Sequence, residues 1–288
     1  KFATNLRKQR SNTIGVIVPR LDSYFMSTIL AGIEQIASKA GYNLIISQSL
    51  EIESKEKSNA ETLLNSGVDA LLVSLANETT DFSHFDKYIS RKIPLLFFDR
   101  VLDLPNSPNI VIDNRDAGCE ATEHLVQQGC TNILHICGNL KRKVYKSRLE
   151  GFKSALEAND ITFNKQHVLE VDFDPKKIEI AVDYIINSKI KFDGIFVSND
   201  NYAANLIKEL KKHRINIPKD IKIIGFNNDP VSEIISPNLS TIEYPGFKMG
   251  VLAGESIIAH LEGNINLQST NSIVLRHHLI HRASTQKT

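Results

Sequence analysis

Three short polar clusters stand out as candidates for chemistry: Asp99-Arg100, Asn199-Asp200 and Asn227-Asn228-Asp229. Carboxylates, amides and a guanidinium grouped in this way suit recognition of a polyhydroxylated or otherwise polar small molecule, because they supply both hydrogen-bond donors and acceptors. Each residue is equally suited to capping a helix N-terminus, the ordinary work of Asn and Asp. Tyr24-Phe25 is an aromatic pair that can stack on a flat ring or sugar face, or simply pack at the start of a helix. The densest charge feature, Lys141 to Arg148 (KRKVYKSR), has five cations in eight residues and no acid. It reads either as a solvated face or, in part, as cations facing a binding site, and the second reading suits an anionic ligand.

Other chemistry lacks its residues. There is no GxGxxG after the first strand, no GxxxxGK[ST] and no GxSxG, so phosphate-loop and serine-hydrolase readings fail and the chain is not expected to be an enzyme or to hold a cofactor. Cys119, Cys130 and Cys137 form no CxxC pair. His277, His278 and His281 cluster near the C-terminus, but on a strand they would divide between two faces, and no carboxylate or Cys lies within ten residues. A metal site is not expected.

These clusters take their meaning from the elements that position them. The chain alternates short β-branched runs with amphipathic segments, the pattern of parallel βαβ units. TIGVIV (13–18) is a buried-strand candidate, followed by a helix over 26–40 that Gly41 ends. The beat continues through strands at 42–47, 68–74, 94–98 and 109–112, with a helix ending near Ser66-Gly67 and another near 83–91. A second run has a helix over 115–128, a strand at 132–137, a helix over about 147–158 and a strand at 167–171. A helix over 175–188, strands at 193–197 and 221–225, and a helix over 201–213 between them complete it. After a strand at 239–243 comes a solitary helix, Gly246 to Leu261, and then two short strands, 272–276 and around 279–281. All three polar clusters follow strand ends, where ligands bind in doubly wound folds.

The 288 residues carry 34 Lys and Arg against 33 Asp and Glu, for a net charge of +1. Lys1, Arg7, Lys8, Arg10 and Arg20 fall in the first twenty residues with no acid, so a basic tip is joined to a mildly acidic body. No stretch approaches the roughly 18–20 apolar residues of a membrane span, and no signal peptide is evident. A cytoplasmic location is expected, with no membrane partner.

The ordered motifs TIGVIVP (13–19), SYF (23–25), GVDALLVS (67–74), PLLFFDR (94–100), VIDN (111–114), SRLEGF (147–152), GIFVSND (194–200), IPKDIKIIGFNN (217–228), SPNLSTI (236–242) and LIHRAST (279–285) resemble the lactose/galactose-repressor (LacI/GalR) family of bacterial transcription regulators. The resemblance runs along essentially the whole chain. It implies an α/β, periplasmic-binding-protein-like type I fold, with two doubly wound parallel-sheet subdomains joined by three crossovers near Asn114, Thr241 and Thr270. The expected first subdomain holds 13–113 plus 244–268 and the second 115–240 plus 272–285, with 1–12 a hinge remnant or linker and 286–288 a tail.

The resemblance further implies a sugar or sugar-derivative effector, anionic in one reading, bound in the cleft between the subdomains of a homodimer and controlling its affinity for operator DNA. Carried over position by position, effector contacts fall on Tyr24, Phe25, Asp99, Arg100, Arg148, Phe196, Asn199, Asp200 and Asn227. Many relatives carry Asp where this chain has Asn227, which weakens any link to one particular effector. Ala3-Thr4-Asn5-Leu6-Arg7 matches the end of the family's hinge helix. Leu6 would wedge between base steps, Ala3 permit close approach and Arg7 meet phosphate, while no helix-turn-helix precedes it in these 288 residues. The rival reading on the same fold is a periplasmic sugar-binding protein of a transport system.

Overall fold

The computed structural model describes residues 10–102, 108–267 and 272–286. The hinge residues Ala3, Leu6 and Arg7 and the expected crossover near Thr270 lie outside the described residues.

The chain folds into two compact units. Unit 1 draws on Lys1–Val111 and Pro245–Leu275, and unit 2 on Ile112–Tyr244 and Arg276–Thr288. Unit 1 begins with β1 (Thr13–Val18), α1 (Tyr24–Lys39), β2 (Asn43–Gln48), α2 (Glu53–Asn65) and β3 (Ala70–Val73). It continues with a short α3 (Asp86–Ser90), β4 (Leu95–Phe98) and β5 (Asn109–Ile112). Unit 2 holds α4 (Asn114–Gln127), β6 (Ile133–Cys137), α5 (Lys143–Ala158), β7 (Val168–Glu170), α6 (Ile178–Asn187) and β8 (Gly194–Val197). It goes on through α7 (Asp200–Lys212), β9 (Lys222–Asn227), a single-turn α8 (Val231–Ile234) and β10 (Ser240–Glu243). The chain then returns to unit 1 for α9 (Gly246–Leu261) and β11 (Ile273–Leu275), and ends in unit 2 with β12 (His278–Ile280).

Each unit is built on one six-stranded sheet, in the orders β11-β5-β4-β3-β1-β2 and β12-β10-β9-β8-β6-β7. Pairings from β1 to β5 and from β6 to β10 are parallel, and β12 runs antiparallel to β10. The central strands are apolar without alternation because helices cover both faces of a parallel sheet. Every residue of β3, β4, β6 and β8 is buried. A fully buried Leu, Ile or Phe in such a strand contributes about 1.5–3 kcal/mol, so these runs dominate the stability of each unit. Among the described residues, no helix is long and apolar enough to cross a membrane.

One boundary differs from expectation. Residues 272–285 were expected together in the second subdomain, but β11 adds to the first sheet beside β5, and only the chain after Leu275 joins unit 2. Two three-residue strands, separated by Arg276 and His277, thus close different sheets. A second difference lies at α5, which starts at Lys143 rather than near Ser147, so the basic run forms its first turns.

Helix packing positions the site. In unit 2, α4 and α5 cross at two glycines. A Cβ on Gly151 would strike the Arg115 carbonyl and the Cys119 amide, and one on Gly118 would strike the backbone of Arg148. Only glycine lets the backbones approach this closely.

Candidate functional site

The strand ends of unit 2 gather around Arg148. Its side chain is 3% exposed, and its guanidinium carbon lies 3.5 Å from the centre of the Phe226 ring. Nε donates to Asn114 Oδ1 at 2.9 Å, and Nη1 donates to the Ser198 carbonyl at 3.4 Å. A planar guanidinium stacked on an aromatic face and hydrogen-bonded at its edge is held in one orientation. The basic run divides by helical position: Lys141, Lys143 and Lys146 are exposed, while Arg142 and Arg148 are buried. The lysines thus form the solvated face of the run, and the two arginines turn into the unit.

Two polar atoms just past strand ends of unit 2 are buried without a hydrogen-bond partner among the described residues: Ser198 Oγ, after β8, and Asp229 Oδ1, after β9. Leaving such groups unpaired costs about 1–3 kcal/mol each, so the arrangement is suited to an incoming donor and acceptor. The other Asp229 oxygen accepts from Asn201 Nδ2 at 3.2 Å. Burial pushes the Asp229 carboxyl up to about 6, against a hydrogen bond from Asn227. Asn227 itself has φ of 114° and Asn228 a φ of 59°. Both sit in the left-handed region that Asn tolerates better than most side chains.

Several expected contacts do other work. Phe196 has no exposed surface, and its ring stacks on His135 at 4.4 Å within the sheet. Burial lowers the His135 imidazole to about 3, which keeps it neutral within that stack. Asp200 is also fully buried, accepting from Thr241 Oγ1 and from the Asp229 backbone amide, both at 2.8 Å. Burial first, and the neighbouring Asp229 second, raise its carboxyl. It ties the loop after β9 to α7. Asn199 is the α7 N-cap, accepting from the Tyr202 amide at 2.9 Å. For this residue the capping alternative holds.

In unit 1, Ser23 caps α1, leaving Tyr24 49% exposed and Phe25 buried against Gly246. The Asp99 carboxylate accepts from Ser74 Oγ at 3.4 Å, and its backbone turns at φ of 58°. Arg100 Nη1 donates to both carboxylate oxygens of Glu51, at 2.9 and 2.7 Å. The sequence reading missed Ser74, Ser198 and Glu51. Both serines directly follow a strand, so the strand-end rule that flagged Asp99 could have found them; Glu51 had no comparable signal.

The C-terminal histidines do not converge. His277 Nε2 lies 3.1 Å from Glu120, while the His281 ring packs 4.6 Å from that of His124. Among the described residues no three His, Cys, Asp or Glu side chains gather in a way that could hold a metal ion.

Comparison with known proteins agrees with the architecture. A family model described as a periplasmic binding protein-like domain matches residues 122–285. Catabolite control protein A of Priestia megaterium is 26% identical over 285 residues, spanning 99% of this chain and 85% of that protein. The ribose operon repressor of Halalkalibacterium halodurans is 28% identical over 260 residues, spanning 90% and 76%. Among solved structures, a periplasmic binding protein/LacI transcriptional regulator from Alkaliphilus metalliredigens QYMF, complexed with D-xylulofuranose, matches with a TM-score of 0.83 at 30% identity, over 96% of this chain and all of that one. With the strand order, the strand-end residues and these relatives pointing the same way, the chain belongs to the LacI family of transcription regulators and carries its periplasmic-binding-protein-like domain.

Proposed function

We propose that the chain binds a sugar or sugar derivative at its strand ends and, as a homodimer, couples that occupancy to the affinity of the regulator for operator DNA. The observation that carries this reading is Arg148, buried and stacked on Phe226 at the strand ends of unit 2, where Ser198 Oγ and Asp229 Oδ1 are also buried without a partner among the described residues. A sugar hydroxyl can accept from a guanidinium and donate to a carboxylate, so strand ends that carry both groups suit a polyhydroxylated ligand. Neutral sugars fit this mixed set, and the sugar named for the Alkaliphilus relative belongs to that class. Coupling to DNA is reciprocal, so operator binding changes ligand affinity by the same factor that ligand changes operator affinity. The homodimer reading is supported by edge strand β2, where Ile45 and Ile46 are 39% and 40% exposed. An edge strand with exposed apolar side chains is a ready place for another chain to pair.

The test is a thermal-shift and calorimetric screen of neutral pentoses and hexoses, including D-ribose and D-xylulose, with the same samples run on size-exclusion chromatography with light scattering. A ligand at 100 times its Kd should stabilise by about 2.7 kcal/mol. Arg148→Ala should abolish that response, and the wild type should elute at twice the mass of one chain. If Arg148→Ala responds as fully as wild type, the site is misplaced; if the wild type is a monomer at micromolar concentration, the dimer reading fails.

A further inference from the structure

In unit 1 the loop after β2 carries two consecutive non-glycine residues in the left-handed region, Leu50 at φ of 52° and Glu51 at φ of 68°. Such a pair persists only where its surroundings fix it. Here the Leu50 amide donates to the Pro19 carbonyl at 2.8 Å, and the Glu51 carbonyl accepts from the Glu78 amide at 3.2 Å. The result is delivery of one side chain: Glu51 Oε2 accepts from the Asn77 amide at 2.8 Å, and both its oxygens engage Arg100 Nη1. The pair is largely withdrawn from water, with side chains 24% and 14% exposed. Solvent therefore screens it only weakly.

We propose that Glu51 is a specificity-determining residue: by occupying Arg100, it turns away ligands that carry a phosphate or carboxylate and keeps the unit 1 strand ends for neutral polyhydroxylated ligands. An unoccupied guanidinium at a strand end is a natural receptor for a planar or tetrahedral oxyanion, because its fork matches two oxygens at once. Glu51 supplies an oxyanion from within the chain, with both of its oxygens on the single nitrogen Nη1. An incoming anion must displace it or lie beside its charge, and like charges in a weakly screened site repel strongly. A hydroxyl group faces neither penalty. This assignment rests on the reading that the strand ends bind a sugar-like ligand, and its test separates the two claims.

The experiment uses the whole chain with Glu51→Gln, which keeps the side chain's shape and an acceptor for the Asn77 amide while removing the charge. The probes are inorganic phosphate against sodium chloride at matched ionic strength, and D-ribose 5-phosphate against D-ribose, read by thermal shift and calorimetry. Glu51→Gln should gain at least tenfold in affinity for phosphate over wild type, and the ratio of ribose 5-phosphate to ribose affinity should rise by a similar factor. Adding Arg100→Gln should return phosphate affinity to the wild-type level. Glu51→Asp, which retains the charge on a shorter arm, should behave as wild type toward phosphate; a purely structural role for Glu51 would make it resemble Glu51→Gln. Equal phosphate affinity in wild type and Glu51→Gln, or a gain that survives Arg100→Gln, overturns the proposal. If neither sugar binds any variant, the sugar reading falls, while the phosphate comparison still decides the role of Glu51.

Discussion

The two units repeat one plan and load it differently. Their sheets have matching strand orders, and each is flanked by a helix pair that crosses at two glycines. In unit 1 a Cβ on Gly250 would strike the Ile29 carbonyl, and one on Gly32 would strike the backbone of Phe247 and Val251. In unit 2 Gly118 meets Arg148 and Gly151 meets Arg115 and Cys119 in the same relation. Ile29 and Arg148 therefore occupy equivalent places, each three residues before a crossing glycine, and both are almost fully buried. Where unit 1 fills that place with hydrocarbon, unit 2 fills it with a guanidinium. The strand ends diverge in the same manner: Asp99-Arg100 follows Phe98 in unit 1, and Asn227-Asn228 follows from Phe226 in unit 2, with a left-handed residue at the turn in both. A repeated scaffold thus sets positions, while the side chains placed on it decide which half stacks its cation on an aromatic ring and which pairs its cation with a carboxylate.

If the two crossings are equivalent, they should fail alike. Gly151→Ala and Gly32→Ala each force a methyl group onto backbone atoms that cannot swing aside, and overpacking of this type costs about 3 kcal/mol, the upper part of its usual range. Urea melts should show comparable losses for the two variants. Ligand response should separate them, because only Gly151→Ala displaces the helix that carries Arg148. Loss of less than about 0.5 kcal/mol in either variant would break the equivalence of the two crossings.

The same comparison explains what could be read from the sequence. Buried parallel strands such as PLLFF and DGIFV announce themselves as apolar runs bounded by polar or glycine residues, and the solitary helix Gly246–Leu261 is observed with the bounds its periodicity predicts. The return of that helix to unit 1 was legible as a helix left over after the second half had been completed. The start of α5 was not legible, because five cations in eight residues mask the three-residue spacing of Arg142, Tyr145 and Arg148 that turns one face inward. The partner of β11 was hidden for a different reason: three residues, one of them the 58% exposed Val274, are too few to show which sheet they close. Of the candidate contacts, Arg148 could be named but its bed on Phe226 could not. Glu51 escaped notice because its reach to Arg100 depends on a left-handed Leu-Glu pair that neither residue type signals.

A smaller effect sharpens the contrast at the strand ends. Asp229 takes the place in unit 2 that Val101 takes in unit 1, counted from the shared left-handed turn. Because burial raises the Asp229 carboxyl to about 6, from an unfolded value near 3.9, the folded chain binds more protons than the unfolded chain between about pH 4 and 6. Its ionisation therefore removes stability as pH rises through that window. Asp229→Asn should match wild type near pH 4 and exceed it by about 2–3 kcal/mol at pH 8, measured by urea melts across pH. The neutral His135 contributes the opposite slope, gaining stability as pH rises from about 3 towards its ordinary value; it is present in both chains and cancels in the difference. A constant difference at every pH would show that the Asp229 carboxyl is not held in its protonated form.

The least costly test concerns the loops that follow β2 and β7. Both contain a left-handed residue of an unfavourable type, Leu50 at φ of 52° and Phe173 at φ of 58°. Leu50 is 39% exposed, so replacing it with Asn surrenders little apolar burial and relieves strain that Asn carries more easily. Leu50→Asn should raise stability by about 0.5 kcal/mol. Phe173 is tied down by Tyr145 and Tyr202, with ring centres 5.8 and 5.6 Å away, and packs against the unit 2 core. Phe173→Asn gains the same relief but loses those aromatic contacts, and a net loss of about 1–2 kcal/mol is expected. Opposite signs would mean that strain at Leu50 in the β2 loop is not repaid by the packing of that side chain, whereas strain in the β7 loop is offset by packing. If both variants gained stability, the Phe173 contacts would be too weak to account for its backbone, and the two loops would differ only in the side chain they present.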